Sequence, residues 1–299
     1  MVLDKKVKTA RLSIFSNTFL IVIKLAAGVI TGSVSIISEA IHSALDLVAA
    51  IIAYFSVKIS NIPPDRDHPY GHGKFENISG VVEGVLILIA AIWIIYEAIQ
   101  KMIHQEPLEF LYIGIIVMAI SAIVNVFVSR RLYAVARETD SIALEADALH
   151  LKTDVYTSLG IAIGILLIWI TGFDVLDPVI AILVALFIIR ESFELLRRAV
   201  SPLLDAKLPE EEVIIIRSRL DKYTEKCISY HNLRTRKSGA YRYVDFHLEV
   251  PENMSVKEAH DLCDRIEKDI RNEIRMIDIN IHIEPCNTRI NAGTDEENV

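Results

Sequence analysis

The sequence predicts a polytopic α-helical membrane protein with six transmembrane helices, followed by a C-terminal cytoplasmic α/β domain with the element order αββαβ. Two observations predict this fold class. Long apolar runs fill residues 11–200, whereas residues 205–299 carry charged residues in the proportion of a soluble protein. Within the second part, segments of helical spacing alternate with strand-like segments. We therefore expect a six-helix membrane domain at 1–204, a soluble domain at 205–286 and a disordered tail at 287–299.

Six stretches are long and apolar enough to cross a bilayer, which requires roughly 20 mostly apolar residues per helix. Turn-like segments such as TGS, NIPPDRDHPYGHG and ARETD separate them. The predicted spans are residues 11–31, 34–59, 77–103, 108–132, 142–171 and 178–200.

The distribution of lysine and arginine predicts the orientation of these spans. Basic residues flank the N-terminus, the loops after spans 2 and 4, and the exit of span 6, where Arg197 and Arg198 lie. The alternate loops carry only Lys101, at a span end. Because cytoplasmic loops are enriched in these residues, both termini are expected in the cytoplasm and the chain in the cell (inner) membrane.

Charge and cysteine content exclude some classes of protein. The chain has 31 basic and 39 acidic residues, a net charge of −8, and no basic stripe with interleaved aromatics. We therefore expect no nucleic-acid partner; the lipid bilayer is the expected surrounding of the first domain. Three cysteines without a CxxC motif indicate reduced thiols rather than a disulfide framework.

The soluble domain shows a start signal for each of its helices. Pro209 precedes three glutamates, which suit the positive end of a helix dipole. Ser255 and Glu258 form a capping-box pattern before a second helix. Its predicted buried face comprises Val256, Ala259, Leu262, Cys263, Ile266 and Ile270. CISYHNLRTRKSGAYRYVDFHLEV predicts two strands around a KSGA turn, and the alternation in IDINIHIEP predicts a third strand.

Two predicted spans carry the same polar pair, His42 with Asp46 in span 2 and His150 with Asp154 in span 5. A spacing of four places both members on one helix face. An aspartate at a helix centre costs about 2.5–3.5 kcal/mol on insertion scales, so the pairs need compensation. Two imidazoles and two carboxylates form a four-ligand set for a divalent cation such as Zn²⁺. The alternative is a polar network that only joins helices, and the duplication of the pair favours the metal site.

Two further clusters point to metal binding. The loop PPDRDHPYGHGK offers Asp65, His68 and His72, for which a simple polar turn is the alternative. In the soluble domain, the predicted elements carry four histidines and an acid that an ordinary surface could also explain. These residues are His231, His247, His260, His282 and Glu284.

The motifs TGSVSIISEAIHSALD, HPYGHGKFE, EADALHLKTD, HNLRTRKSG and IHIEPC span nearly all of residues 10–286. Through them the chain resembles the cation diffusion facilitator family, close to its bacterial FieF/YiiP type. The resemblance implies a homodimer of six-helix subunits with a cytoplasmic metallochaperone-like domain. It also implies export of a divalent metal in exchange for protons.

Carried over by position, the resemblance implies three sites. His42, Asp46, His150 and Asp154 would form the transport site, Asp65, His68 and His72 a loop site, and the five soluble residues a binuclear regulatory or structural zinc site. The FieF/YiiP type has aspartate where this chain has His42, which favours zinc over iron and cadmium. It also has aspartate where this chain has Glu284, which puts the second cytoplasmic ion in question.

The expected function is therefore proton-coupled efflux of a divalent cation, with Zn²⁺ as substrate, rather than an enzymatic activity. No GxxxxGK[ST] motif indicates ATP as energy source, and no HExxH motif indicates a membrane metallohydrolase. Two alternatives stay open from the sequence. One is a membrane metal sensor, and the other is a transporter whose main substrate is Fe²⁺, Mn²⁺, Co²⁺ or Cd²⁺.

Overall fold

The structure is a computed structural model that describes residues 2–31, 34–104, 112–171, 176–224 and 228–286. The chain divides into two compact units, Met1–Leu203 and Leu204–Val299. The predicted tail at 287–299 lies outside the described residues.

Six long helices form the first unit within the described residues. They are α1 (Val2–Thr31), α2 (Val34–Ser60), α3 (Lys74–His104), α4 (Tyr112–Thr139), α5 (Ile142–Thr171) and α6 (Leu176–Val200). Three of them contain a described stretch long and apolar enough to cross a membrane, namely Asp4–Ala27, Lys74–Gln100 and Ala119–Thr139. The six predicted helices are thus found, while the count of six crossings stays a prediction.

Two helices extend at one end by more than three residues beyond their predicted spans. α1 begins at Val2 rather than at residue 11, and α4 ends at Thr139 rather than at residue 132. Ala10 in the first extension and Val135 in the second are fully buried in one core cluster. Tertiary packing of this kind sustains a helix after its apolar run ends, so hydropathy underestimated the length of both helices.

α5 occupies a central position in this unit, because it contacts α2, α3, α4 and α6. Ala146 and Ala148 on this helix are fully buried. Small residues let neighbouring helices approach closely in a membrane. The polar side chains of α5 can therefore face other helices instead of lipid.

The second unit is an αββαβ domain, as predicted. Its elements are α7 (Glu210–Leu220), β1 (Ser229–Ser238), β2 (Tyr241–Val250), α8 (Val256–Glu273) and β3 (Ile277–Pro285). The sheet order is β1-β2-β3, with β1 antiparallel and β3 parallel to β2. The two helices pack with the inner face of the sheet around Phe246, Leu248 and Ile266.

The predicted capping box is present at the start of α8. The Ser255 hydroxyl accepts from the Glu258 N–H at 3.2 Å, and the Glu258 carboxylate accepts from the Ser255 N–H at 2.9 Å. Five of the six residues predicted to be buried on this helix are buried. The prediction is wrong for Val256, which is 88% exposed because the first helical residue lies at the end of the apolar stripe.

Candidate metal centres

Three of the four residues in the two predicted membrane pairs meet where α2 packs on α5. Asp46 on α2, and His150 and Asp154 on α5, each offer a ligand atom, and these atoms all lie within 4.8 Å of one another. The Nε2 atom of His150 lies 2.9 Å from Oδ1 of Asp46. Their side chains are only 12% and 6% exposed. This buried nitrogen-and-oxygen cluster has the chemistry to hold a divalent cation.

His42 belongs to the same predicted set. Its backbone lies in α2, one helical turn before Asp46. The position of its side chain lies outside the described part of the structure. Its role as a ligand therefore stays a prediction.

Two asparagines border the intramembrane cluster and were not singled out by the sequence motifs. Asn17 on α1 donates from Nδ2 to the backbone carbonyl of Asp46 at 3.5 Å. Asn125 on α4 donates from Nδ2 to Oδ2 of Asp154 at 3.3 Å. Both are buried, so four helices contribute polar groups to this region. A lone asparagine in an apolar run carries no spacing signal, which is why sequence reasoning missed them.

Two buried acids near the cluster were also missed as candidates. Glu83 on α3 and Asp147 on α5 are both 0% exposed and interact electrostatically. Ser79 donates to one Glu83 oxygen at 3.2 Å, and Ser13 donates to one Asp147 oxygen at 3.0 Å. Within the described residues, the second oxygen of each acid has no hydrogen-bond partner. An acid inside an apolar run was the available signal for both residues.

A buried ion pair joins the helix ends near the loop between α2 and α3. Nζ of Lys6 lies 2.9 Å from Oε1 of Glu76, with side-chain exposures of 5% and 2%. Ser60 donates to the same oxygen at 2.7 Å, and Ser141 donates to the other. The network connects α1, α2, α3 and the residue just before α5. Its members are too far apart in sequence to be paired from the sequence alone.

The structure brings the three predicted loop residues together, while their role as metal ligands stays a prediction. Asp65, His68 and His72 offer ligand atoms that lie within 4.8 Å of one another. Oδ1 of Asp65 lies 3.4 Å from Nδ1 of His68, and Oδ2 lies 3.5 Å from Nε2 of His72. Gly71 turns the chain between the histidines with a φ of 77°, which glycine adopts readily.

Hydrogen bonds from the loop backbone favour the charged form of the Asp65 carboxylate. The N–H of His68 donates to Oδ1 at 2.6 Å, and the N–H of Asp67 donates to the same atom at 3.0 Å. The bond from His68 is the main cause that lowers the pKa of Asp65; partial burial opposes it, and the bond from Asp67 adds to the lowering. A carboxylate held in its charged form is suited to metal binding.

The third cluster lies on the outer face of the C-terminal sheet. His231 on β1, His247 on β2 and Glu284 on β3 bring ligand atoms within 4.8 Å of one another. Oε1 of Glu284 lies 2.9 Å from Nδ1 of His247, and Oε2 lies 3.4 Å from Nε2 of His231. The strand register pairs His247 on β2 with His231 on β1 and with His282 on β3. Side chains from all three strands therefore come together at this point of the sheet.

The two remaining predicted ligands differ in their placement. His282 is next to the cluster, with Nε2 at 3.5 Å from Oε1 of Glu284. His260 lies on α8 with a side chain that is 72% exposed, and its Nε2 lies 3.7 Å from Oδ2 of Asp264. Within this single chain, the described structure brings His282 to the strand cluster but does not bring His260 there.

Comparison with known proteins defines the class of this protein as a metal-cation efflux transporter of the membrane. A family model described as the cation efflux transmembrane domain matches residues 10–204. A second model, described as the cation efflux protein, cytoplasmic domain, matches residues 208–286. The chain belongs to the cation efflux family, known as the cation diffusion facilitators. The prediction of a transporter rather than an enzyme is confirmed.

Two relatives, a transporter and a cation-efflux pump, agree with this assignment. An uncharacterized transporter of Synechocystis sp. is 36% identical over 263 residues, covering 88% of this chain and 85% of that protein. The cation-efflux pump FieF of Yersinia pestis is 32% identical over 281 residues, covering 94% and 93%. The metal-bound C-terminal domain of the CzcD transporter from Thermotoga maritima is 30% identical, covering 25% of this chain and 87% of that one, with a TM-score of 0.23.

Proposed function

We propose that this chain exports Zn²⁺ from the cytoplasm in exchange for protons. The observation that carries the proposal is the convergence of Asp46, His150 and Asp154 inside the membrane unit. His42, one turn before Asp46, is proposed as the fourth ligand. Two carboxylates balance the charge of a divalent ion, and two imidazoles with two carboxylates suit the tetrahedral coordination of Zn²⁺.

Competition between protons and metal for these ligands provides the coupling. An imidazole must be neutral to bind metal, and free histidine titrates near 6.5, within the physiological range. Metal loading therefore expels protons, and protonation expels metal. When the site faces the more acidic outside, protons displace the ion, and an inward proton gradient becomes an outward metal flux.

The loop cluster is proposed as a binding site on the cytoplasmic side. The lysine and arginine residues in the N-terminal flank, in this loop, in the loop after the fourth helix and at the exit of the sixth support that orientation in the cell membrane. Asp65, His68 and His72 offer one carboxylate and two imidazoles, the same ligand types as the proposed transport site. The loop can therefore hold the same ion before it enters the membrane unit.

The C-terminal cluster is proposed to bind Zn²⁺ and to stabilise a homodimer. Its support is the ligand set of His231, His247, His282 and Glu284, together with the family resemblance, which implies paired subunits. An ion that binds only the paired form shifts the equilibrium toward it by mass action. His260 stays a predicted ligand of this site.

The deciding experiment uses purified full-length protein in vesicles with equal Zn²⁺ on both sides and an imposed pH difference. Zn²⁺ should accumulate on the acidic side, and a proton ionophore should abolish the accumulation. Asp154→Asn, which retains the size of the side chain, should not accumulate metal. A protein that binds Zn²⁺ but moves none would be a sensor instead, and the transport proposal would be wrong.

A further inference from the structure

Asn125 is a buried amide that lies beside the intramembrane cluster but belongs to none of the metal-binding motifs. The residue is 5% exposed and lies on α4. Its Nδ2 donates to Oδ2 of Asp154 at 3.3 Å. Its Oδ1 has no hydrogen-bond partner among the described residues. One end of the amide is therefore held by a predicted ligand, while its acceptor end is unused.

A second unused oxygen lies on the same face of α4. Ser121, one helical turn before Asn125, is 8% exposed, and its hydroxyl has no partner in the described part of the chain. Residues four apart lie one above the other on a helix. Buried polar groups are almost always hydrogen-bonded, and an unpaired one is costly. Two oxygens without a partner therefore lie one turn apart on α4, and one of them belongs to the amide that contacts Asp154.

We propose that Oδ1 of Asn125 is an additional oxygen ligand of the transported cation. The inference rests on the proposed transport site and names a ligand outside its four His and Asp residues. An amide oxygen adds a donor without adding charge, so the site keeps its match to a divalent ion. Four ligands suit tetrahedral Zn²⁺, whereas a further carbonyl-type oxygen suits Mn²⁺, which takes oxygen ligands in octahedral geometry. Asn125 therefore widens the substrate range of this chain from Zn²⁺ to Mn²⁺.

The competing role for Asn125 is only to position Asp154 through the Nδ2 hydrogen bond. The two roles differ in their effect on ion selectivity. Loss of a ligand that serves the higher coordination number lowers Mn²⁺ transport more than Zn²⁺ transport. Loss of a positioning group misplaces Asp154 for both ions alike.

The test measures initial Mn²⁺ and Zn²⁺ transport by full-length protein in vesicles under the same pH difference. Asn125→Leu keeps the approximate volume and removes the oxygen. It should lower the Mn²⁺ to Zn²⁺ rate ratio by at least about tenfold, because loss of a group that only supports a metal ligand already costs ~10–100-fold and loss of a direct ligand should cost no less. Asn125→Asp keeps an oxygen at this position, so its Mn²⁺ to Zn²⁺ rate ratio should stay close to that of the wild type. Asn17→Leu is the matched control, because its amide donates to the backbone carbonyl of Asp46 rather than to a side-chain ligand atom; its ratio should stay unchanged.

A parallel binding measurement separates this inference from the transport proposal. The full chain carries Asp65→Ala and His247→Ala, which remove the other two clusters, and its Mn²⁺ and Zn²⁺ affinities are measured in detergent with and without Asn125→Leu. A selective loss of Mn²⁺ affinity supports the inference even if the wild type moves no metal. Equal losses for both ions, or no loss for either, would overturn it.

Discussion

Nε2 of His150 on α5 lies 2.9 Å from Oδ1 of Asp46 on α2, deep inside the membrane unit. Asp154, one turn further along α5, lies within the same cluster of ligand atoms. A cation held by these groups would link two different helices. Any movement of α2 against α5 would therefore change the coordination of the ion, which is what alternating access to a transport site requires.

The first prediction concerns Asp46. Asp46→Asn should reduce Zn²⁺ transport by at least about 100-fold, more than the ~10–100-fold lost with a group that only supports a ligand. The protein should remain folded, because the change removes a buried charge from the membrane. Vesicle flux and size-exclusion profiles check both points, with Asp4→Asn on the exposed end of α1 as control. Near-normal flux in Asp46→Asn would contradict the proposed site.

The second prediction concerns the identity of the ligand at residue 42. His42→Asp exchanges a nitrogen ligand for a harder oxygen ligand, and ligand type is one determinant of metal selectivity. Transport of Cd²⁺, Fe²⁺ or Mn²⁺ should rise relative to Zn²⁺ in a panel of ions tested on the same vesicles. If the ranking of the ions does not change, His42 is not a ligand.

The third prediction concerns the buried pair of Lys6 and Glu76. Lys6→Met leaves the Glu76 charge buried without its ammonium, and breaking such a pair costs about 3–5 kcal/mol. The double variant Lys6→Met/Glu76→Gln removes both charges and should be more stable than Lys6→Met. Denaturant unfolding in detergent measures the free energies of the wild type, the two single variants and the double variant. Additive effects of the two single changes would show that the pair is not coupled.

The fourth prediction is a pH dependence at the start of α8. Hydrogen bonds from Ser255, first from its side chain and then from its backbone N–H, lower the pKa of Glu258 below its ordinary value. A lowered pKa in the folded state means that the stabilisation is complete above the unfolded pKa of about 4.3. This stabilisation is lost as the pH falls through the pKa of Glu258 in the folded state, which is the lower of the two pKa values.

Amide exchange in the first turn of α8, corrected for the intrinsic pH dependence of exchange, measures this effect. At neutral pH, Ser255→Ala should speed exchange about fivefold, equivalent to about 1 kcal/mol for a lost cap. The difference from the wild type should shrink below pH 4. Lys257→Ala, an exposed neighbour outside the capping box, serves as control. A difference that persists unchanged to pH 2 would contradict the assigned role of Glu258.

The fifth prediction separates the histidines of the C-terminal domain. His247 contacts Glu284 at 2.9 Å, whereas His260 lies outside the strand cluster. Zn²⁺ should therefore slow amide exchange in β1, β2 and β3 of the full-length protein, and His247→Ala should reduce this protection much more than His260→Ala. Equal losses of protection in the two variants would indicate that His260 contributes to Zn²⁺ binding as much as His247 does.

Much of the fold could be predicted from local patterns. The helix of α5 has the bounds 142–171 that its apolar run predicted, and the capping box at Ser255 marked the start of α8. These signals lie within a few residues of one another, so no long-range contact is needed to interpret them. Hydropathy failed at the ends of α1 and α4, because packing between helices rather than lipid contact sustains those turns.

The spacing of four in His42 with Asp46 and in His150 with Asp154 was enough to predict from the sequence that each pair shares one helix face, because helical geometry alone sets this. The tertiary structure decided which helices meet, and so brought Asp46 to 2.9 Å from His150 across 104 positions of sequence. It also decided that Asn125 touches Asp154, that Glu76 receives Lys6, Ser60 and Ser141, and that His260 lies apart from the strand cluster. Single polar residues in apolar helices carry no periodic signal, and their partners are set by the packing of whole helices.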